Sequence, residues 1–334
     1  MFPILKLPSV ALRQILDTLE FKDLVLLSLC STRSCQIFKL TRSKTPKLKL
    51  YVDSIHQTVR MPSMDEHDIL LGAVKIDPVS HSPKGLAKIR RYTVSIGAVR
   101  DRYTQHFMYM STFWNDPIHG FQEVMNHLRD LFRVDIHFIH FNGTSLWILD
   151  WIQKVQNGVQ VAETEKDRPL SFREYGTVIK SCNARELCLY AYPKNNFKYT
   201  GGMKDHERIH ISYGEWLTLE NLLEINAPDI YIERSELTSN DLNQLLKKWL
   251  AGGLSKLKYL SLGLSRTAWG PEIAEVVLNG LNVETKPRRT YHRKYEWNHD
   301  FKDNKELRRP DGVTASIKVT PQSFTLAVWP DFNA

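Results

Sequence analysis

Apolar positions along this 334-residue chain change their spacing twice, and each change marks a different kind of element. Between Leu7 and Leu40 the spacing is helical. Pro8 suits the first turn of a helix, where its missing N–H costs nothing. Leu12, Ile15, Leu16 and Leu19 then fall at i, i+3, i+4 and i+7 as one stripe. After a polar break at Glu20 to Asp23 a second apolar run extends to Cys30, and Ser31, Thr32 and Ser34 mark the turn into a third segment ending near Leu40. About 40 residues thus form three short helices, a unit too small to bury its own apolar residues. The near-continuous Leu24, Val25, Leu26, Leu27 and Leu29 predict that something else covers part of this surface, either a partner or the chain's own next domain.

The period then shortens to two. The polar linker Ser43 to Pro46 closes the helical unit, since Pro46 disfavours helix at Thr45. Lys47 to Val52, Tyr92 to Ile96 and Phe107 to Met110 alternate, which predicts a small β-rich region over 47–113. Its loop Asp77 to Pro83 holds turn residues and no catalytic pattern. From Asp116 helix and strand alternate. Phe121, Val124, Met125, Leu128 and Leu131 predict a helix, Val134 to Phe138 a strand, Leu146, Leu149, Trp151, Ile152 and Val155 another helix, and Leu187 to Tyr190 another strand.

A repeat emerges in this second part. Leu257-x-x-Leu260-x-Leu262 has the spacing of a leucine-rich-repeat strand, with looser copies at Ala227, Ile230 and Ile232, at Ala184, Leu187 and Leu189, and at Leu131, Val134 and Ile136. Non-repetitive βα units with buried strands fit the same positions. Between two of these strands Thr238 and Asp241 predict a carboxylate variant of the capping box. Leu242, Leu245, Leu246, Trp249 and Leu250 follow at helical spacing, and Gly252-Gly253 supplies the stop. The spacing makes Trp249 a core residue. A last helix at Pro271 to Leu278 and two strands, Ala315 to Val319 and Phe324 to Trp329, complete the pattern.

The Leu7-Pro8 opening, Ile15-Leu16 and Leu19, Asp23-Leu24, Leu27 and Cys30-Ser31 together resemble an F-box. In that family this unit docks on the small acidic Skp-type adaptor of a cullin-RING ubiquitin ligase. Arg33 stands where many F-boxes carry a Trp. A second stretch, Trp216 to Leu223, Ile230 to Ile232, Ser235 to Thr238, Asp241 to Trp249 and Leu257 to Leu260, resembles the F-box associated domain type 2, placed at about 213–281. The family uses the two in this order, and its associated domain is thought to bring the substrate. Spacing and resemblance together give a mixed fold, α/β within α+β overall: a three-helix F-box at 1–45, a β-rich region at 47–113 and a leucine-rich-repeat-like α/β domain at 114–334.

Composition narrows the classes. A hydrophobic share of 42% with 25% charged residues is that of a folded soluble protein. The longest uncharged apolar run, Leu24 to Cys30, is far below the ~20 residues of a membrane span. The N-terminus lacks a signal-peptide pattern, so the expectation is an intracellular protein, cytoplasmic or nuclear, that is not secreted. Cys30, Cys35, Cys182 and Cys188 include no C-x-x-C pair. Net charge is +8, and residues 1–45 hold seven Lys or Arg against three acids, which suits an acidic adaptor. A second surplus of five, nine cations against four acids, lies between Lys286 and Arg309. There Thr290 to Tyr295 mixes cations with aromatics, either as a solvated loop or as an anion or nucleic-acid contact.

Chemistry finds no foothold. His137 with His140, and His206 with His210, are the candidate metal pairs; the first pair would point to opposite faces of a strand, and neither has a nearby third ligand. No phosphate cradle or nucleophile motif is present, and no cofactor is expected. The reading is therefore a non-catalytic substrate receptor with cullin and RING subunits beyond its adaptor, and with a protein as substrate. Nucleic acid and membrane are not expected partners. Adaptor contacts are assigned to Leu7, Pro8, Ile15, Leu16, Leu19, Leu24, Leu27 and Cys30. Substrate contacts are assigned to Cys188, Tyr231, Lys258, Tyr259 and Ser261, the strand positions between the leucines. The alternative is a ligase-independent scaffold, or an anion binder working through 286–309.

Overall fold

Where the apolar period is helical the chain is helical, and where it alternates the chain pairs into sheets. A computed structural model describes residues 4–41, 48–61, 69–76, 85–100, 108–194, 197–265, 273–293, 298–302 and 304–332. The linker Ser43 to Pro46 and the loop Asp77 to Pro83 lie outside the described residues. The chain forms two compact units, Met1–Phe141 and Asn142–Ala334.

The first unit begins with α1 (Ser9–Thr18), α2 (Phe21–Ser28) and α3 (Thr32–Thr41). Strands β1 (Leu50–Asp53), β2 (Thr58–Arg60), β3 (Ile69–Lys75), β4 (Gly85–Ile89), β5 (Tyr92–Arg100) and β6 (Met108–Trp114) follow, then α4 (Pro117–Phe132) and β7 (Ile136–Phe141). Their order is β7-β1-β2-β3-β6-β5-β4, antiparallel except for β7 with β1 and β3 with β6. Helix α4 and strand β7, grouped by spacing with the second part, belong here because α4 lays its stripe on β3 and β6. Phe121, Val124, Met125 and Leu128 on that stripe are at most 1% exposed. Asp116 caps the helix, accepting from the backbone N–H groups of Ile118 and His119, with Pro117 in the first turn. Gly120 allows the close approach, since a β-carbon there would overlap the Trp114 ring.

The N-terminal helices pack onto this unit. Leu12, Leu16, Leu24, Val25, Leu29 and Phe38 are buried, and the Phe21 ring meets Phe132 of α4 edge-on at 5.6 Å. The Leu29 carbonyl, past the end of α2, accepts from the Lys88 N–H of β4 at 2.7 Å. Ser28 Oγ donates to the Val25 carbonyl at 2.7 Å and lies 2.8 Å from His127 Nε2 of α4. Its single proton being committed to Val25, the hydroxyl accepts from the Nε2–H tautomer.

The second unit alternates helix and strand: α5 (Trp147–Val155), β8 (Val159–Thr164), β9 (Pro169–Leu170), α6 (Phe172–Ser181), β10 (Ala184–Leu189), β11 (Tyr192–Pro193), β12 (Arg208–Ile211), α7 (Leu219–Glu224), β13 (Asp229–Ser235), α8 (Ser239–Leu250), β14 (Tyr259–Leu264) and α9 (Ile273–Leu278). Strands β8, β10, β12, β13 and β14 lie side by side in that order, all parallel. Leu187, Ile209, Ile230 and Leu260 align across them as one buried row, and Leu189, Ile211, Ile232 and Leu262 as the next. The strands begin at Val159, Ala184, Arg208, Asp229 and Tyr259, intervals too uneven for a strict repeat, and the copy at Leu131 to Ile136 falls in the first unit. Helix α8 has the expected box: Thr238 Oγ1 accepts from the Asp241 N–H at 3.2 Å while Asp241 Oδ2 accepts from the Thr238 N–H at 2.8 Å. It ends at Leu250, and Gly252 two residues on takes a left-handed φ of +91°. Trp249 is fully buried.

The basic segment is largely strand. Strands β15 (Glu284–Lys286), β16 (Arg289–Tyr291), β17 (His299–Phe301) and β18 (Asn304–Arg308) lead into β19 (Thr314–Thr320) and β20 (Ser323–Val328). An antiparallel run β15-β18-β19-β20 continues the parallel sheet beyond β14, and β16 pairs with β17 as a separate hairpin. Tyr291, Phe301 and Leu307, each at most 1% exposed, anchor strands whose remaining residues are mostly charged.

Burial, and then the nearby Lys39, push His127 down to about 4. Between pH 6.5 and 4 the unfolded chain therefore binds a proton that the folded one excludes, so this group's contribution is full above pH 6.5 and falls away on acidification. His127→Gln, which keeps an N–H for Ser28, should flatten the loss of stability across that window. Denaturant midpoints at pH 7 and pH 4.5 for both proteins would read a difference of up to about 3 kcal/mol. Identical pH profiles would show that His127 is not the group excluded from protonation.

Candidate interaction surfaces

Side-chain burial on the N-terminal helices separates two groups among the residues assigned to adaptor contact. Leu16, fully buried, and Leu24, 1% exposed, point into the first unit. They are core, and the assignment of these two to docking is corrected: a stripe shows that a face is covered, not by what. Leu7, Ile15, Leu19 and Leu27 are half-buried, and Pro8 and Cys30 are exposed. Three apolar residues outside the assignment are also exposed: Val10 at 71%, Leu40 at 76% and Leu26 at 37%. Val10 and Leu40 fall off the helical stripe, so spacing alone does not single them out. Several apolar side chains of the three helices thus remain wholly or partly accessible.

In the second unit, parallel register brings the assigned substrate residues together. Cys188, His210, Tyr231 and Ser261 align across β10, β12, β13 and β14, and Glu186, Arg208, Asp229 and Tyr259 form the adjoining row. Both rows alternate with the buried Leu and Ile rows, so they share the opposite face. Tyr231 and Ser261 are half-buried on it. Cys188 at 5% and Tyr259 at 2% lie on this face but are covered, which corrects their assignment as substrate contacts and not their orientation. Tyr259 is covered by the Arg293 guanidinium, 4.0 Å from its ring centroid, and by Tyr291, Phe301 and Trp329. Lys258 precedes β14, and its Nζ donates to the Pro330 carbonyl at 3.0 Å.

Chemistry-bearing residues that sequence reasoning did not assign to this face join it. The His210 ring meets Tyr190 at 4.9 Å and Tyr231 at 4.7 Å, both edge-on, and its Nε2 lies 3.2 Å from Glu233 Oε1. Burial lowers its pKa against the pull of Glu233. Arg293 reaches Asp229 with Nη2 2.9 Å from Oδ1, and the two side chains are 4% and 0% exposed. Burial pushes the Asp229 carboxyl up, against Arg293 and Arg208. The face is polar and aromatic, and burial chiefly pushes the Cys188 thiol up to about 11, which keeps it protonated at neutral pH.

Most cations of the basic segment are engaged within the unit. Arg288 pairs with Asp300, Lys286 with Glu284 at 2.6 Å and Arg309 with Asp311 at 2.6 Å, while Arg289 lies over Trp329 at 3.4 Å. Lys294 and Tyr295 lie outside the described residues. Lys302 and Lys305, with Lys318 of β19, line a cavity of about 550 Å³. The histidine pairs are also engaged otherwise. His140 Nδ1 is 3.6 Å from Asp53 Oδ2, His137 stacks on Tyr51, and His206 Nδ1 bonds the Ala184 carbonyl at 2.7 Å. Among the described residues no group of three or more His, Cys, Asp or Glu could hold a metal ion, and no helix is long and apolar enough to cross a membrane.

Comparison with known proteins adds two domains. Residues 4–45 match the model of the F-box domain, and residues 201–262 match that of the F-box associated domain. The chain is also 22% identical, over 348 aligned positions, to the Caenorhabditis elegans protein F59B2.8, described as uncharacterized; the match covers 98% of this chain and 77% of that protein. No solved structure matches.

The buried pair is the strongest constraint on the polar face. Arg293→Met leaves Asp229 buried without its partner and should cost about 3 to 5 kcal/mol in chemical unfolding, whereas an Arg293→Met, Asp229→Leu double variant should recover much of that loss. A single variant as stable as the parent would show that the pair does not hold the segment down.

Proposed function

We propose that this chain, which carries an F-box domain at residues 4–45 followed by an F-box associated domain at residues 201–262, is the substrate-receptor subunit of an SCF-type ubiquitin ligase. One observation carries the reading: the order of the two domains, with an apolar surface left open on the first. The F-box helices bury Leu16 and Leu24 inward yet keep Leu7, Pro8, Val10, Ile15, Leu19, Leu26 and Leu27 wholly or partly accessible. An acidic Skp-type adaptor complements both that surface and the cations around it. Cullin and RING subunits would follow through the adaptor, and isopeptide formation would take place on them. The repeat-like parallel strands of the second unit would present a protein substrate, with Tyr231, Ser261, His210 and Glu233 on the presenting face. The receptor's contribution is proximity, a raised effective concentration of substrate near the transferring subunits.

Co-expression with the acidic adaptor and size-exclusion chromatography test this. Wild type should elute as a 1:1 complex. Ile15→Asp with Leu26→Asp, which spares the buried Leu16, should abolish it, since truncating a single central anchor costs on the order of 2 kcal/mol, roughly thirtyfold in affinity. A well-behaved monomer that ignores the adaptor would overturn the reading in favour of a ligase-independent scaffold.

A further inference from the structure

A cleft of about 500 Å³ opens in the second unit where three parallel strands end. Tyr192 and Pro193 follow β10, Tyr213, Glu215 and Trp216 follow β12, and Glu236 follows β13, with Phe197 completing the wall. Loops at the carboxyl ends of parallel strands are where α/β sheets place their ligands. Phe197 at 4% and Trp216 at 8% are buried, with ring centroids 5.2 Å apart, while Tyr192 and Tyr213 stand more exposed, 5.4 Å apart. The lining is therefore four aromatic rings and two carboxylates.

Those carboxylates are unspent. Glu215 and Glu236 are exposed, and neither has an ion-pair or hydrogen-bond partner among the described residues. Tyr213 is fixed from outside: its hydroxyl donates to Asp167 Oδ1 at 2.5 Å, and the Arg234 guanidinium lies 4.3 Å from its ring centroid. One face of this aromatic group already carries a stacked guanidinium. The chain as a whole bears +8, so a cleft with two free carboxylates among π-faces is a local exception to its field.

We propose that this cleft binds a cationic side chain of a protein segment, arginine in preference to lysine. A planar guanidinium stacks on aromatic rings and forks onto a carboxylate, whereas an ammonium does neither in a plane. If the receptor reading holds, on which this naming of the segment as substrate rests, the substrate class is a protein with an exposed basic stretch.

Fluorescence anisotropy of the full-length chain with a labelled arginine-rich hexapeptide tests the site, because the overall positive charge opposes non-specific capture of such a probe. The peptide should bind with a submillimolar Kd, and its citrulline counterpart, which keeps the shape and loses the charge, at least tenfold more weakly. Glu215→Gln with Glu236→Gln should also weaken binding at least tenfold while leaving thermal unfolding unchanged. Equal binding by that variant, equal binding of the citrulline peptide, or no binding of the arginine peptide would overturn the proposal, and tighter binding of a lysine counterpart would overturn the preference. Adaptor co-elution is read separately: peptide binding without an adaptor complex would retain the cleft and remove the receptor reading, and the converse would do the opposite.

Discussion

Three helices of some 40 residues cannot keep water from their own apolar side chains, and the first unit is organised around that shortage. Helix α4 covers one side. Phe132 takes the Phe21 ring, His127 reaches Ser28, and β4 ties down the carbonyl just past the end of α2 through Lys88. The surface that stays open is then selected by subtraction. It comprises the residues α4 and the strands cannot reach, and it is apolar because the helices are apolar on more than one side. A buried, neutral His127 makes this closure sensitive to acid, since its only charged form is the one the core excludes.

The second unit solves a different problem, how to expose a polar face on a sheet of parallel strands. Strict period-two register does most of it: Leu and Ile rows on one side require Glu186, Arg208, Asp229, His210 and Tyr231 on the other. Charges placed so close to a core need partners, and Arg293 comes from the distant basic segment to neutralise Asp229 and cover Tyr259. The segment that composition leaves as either a solvated loop or an anion contact thus packs on the second unit, with β15 and β18 in its sheet and β16 and β17 as a separate hairpin.

Legibility followed how many independent signals agreed at one place. In α8 the cap, the stripe and the left-handed stop coincide, and the helix runs from Ser239 to Leu250 as the residues indicate. For α4 the stripe alone was readable, and of its two partner strands the alternation at Phe107 to Met110 marked β6 while β3 went unread. Strands β15 to β18 were hidden because their inward residues, Tyr291, Phe301 and Leu307, are single anchors separated by charge, and a window of few apolar residues carries no period. The docking residues were half legible. Spacing identifies a covered face, but whether the cover is a partner or α4 is a tertiary fact, and that difference separates Leu16 from Leu26. Likewise the outward orientation of Cys188 and Tyr259 follows from register, while their burial depends on residues such as Arg293 that are remote in sequence.

Net charge proves a poor guide to what a partner would meet. The two basic clusters account for more than the whole +8 of the chain, yet Arg288, Arg293 and Arg309 pair with Asp300, Asp229 and Asp311 inside the second unit, and Lys39 pairs with Asp130 in the first. Charges held in pairs attract little at a distance, since each pair presents a dipole that salt readily screens. Lysines line the cavity beside β19, and at the opposite sign Glu215 and Glu236 stand among the rings at the strand ends. The acidic aromatic cleft is thus a place where local charge runs against the composition of the chain.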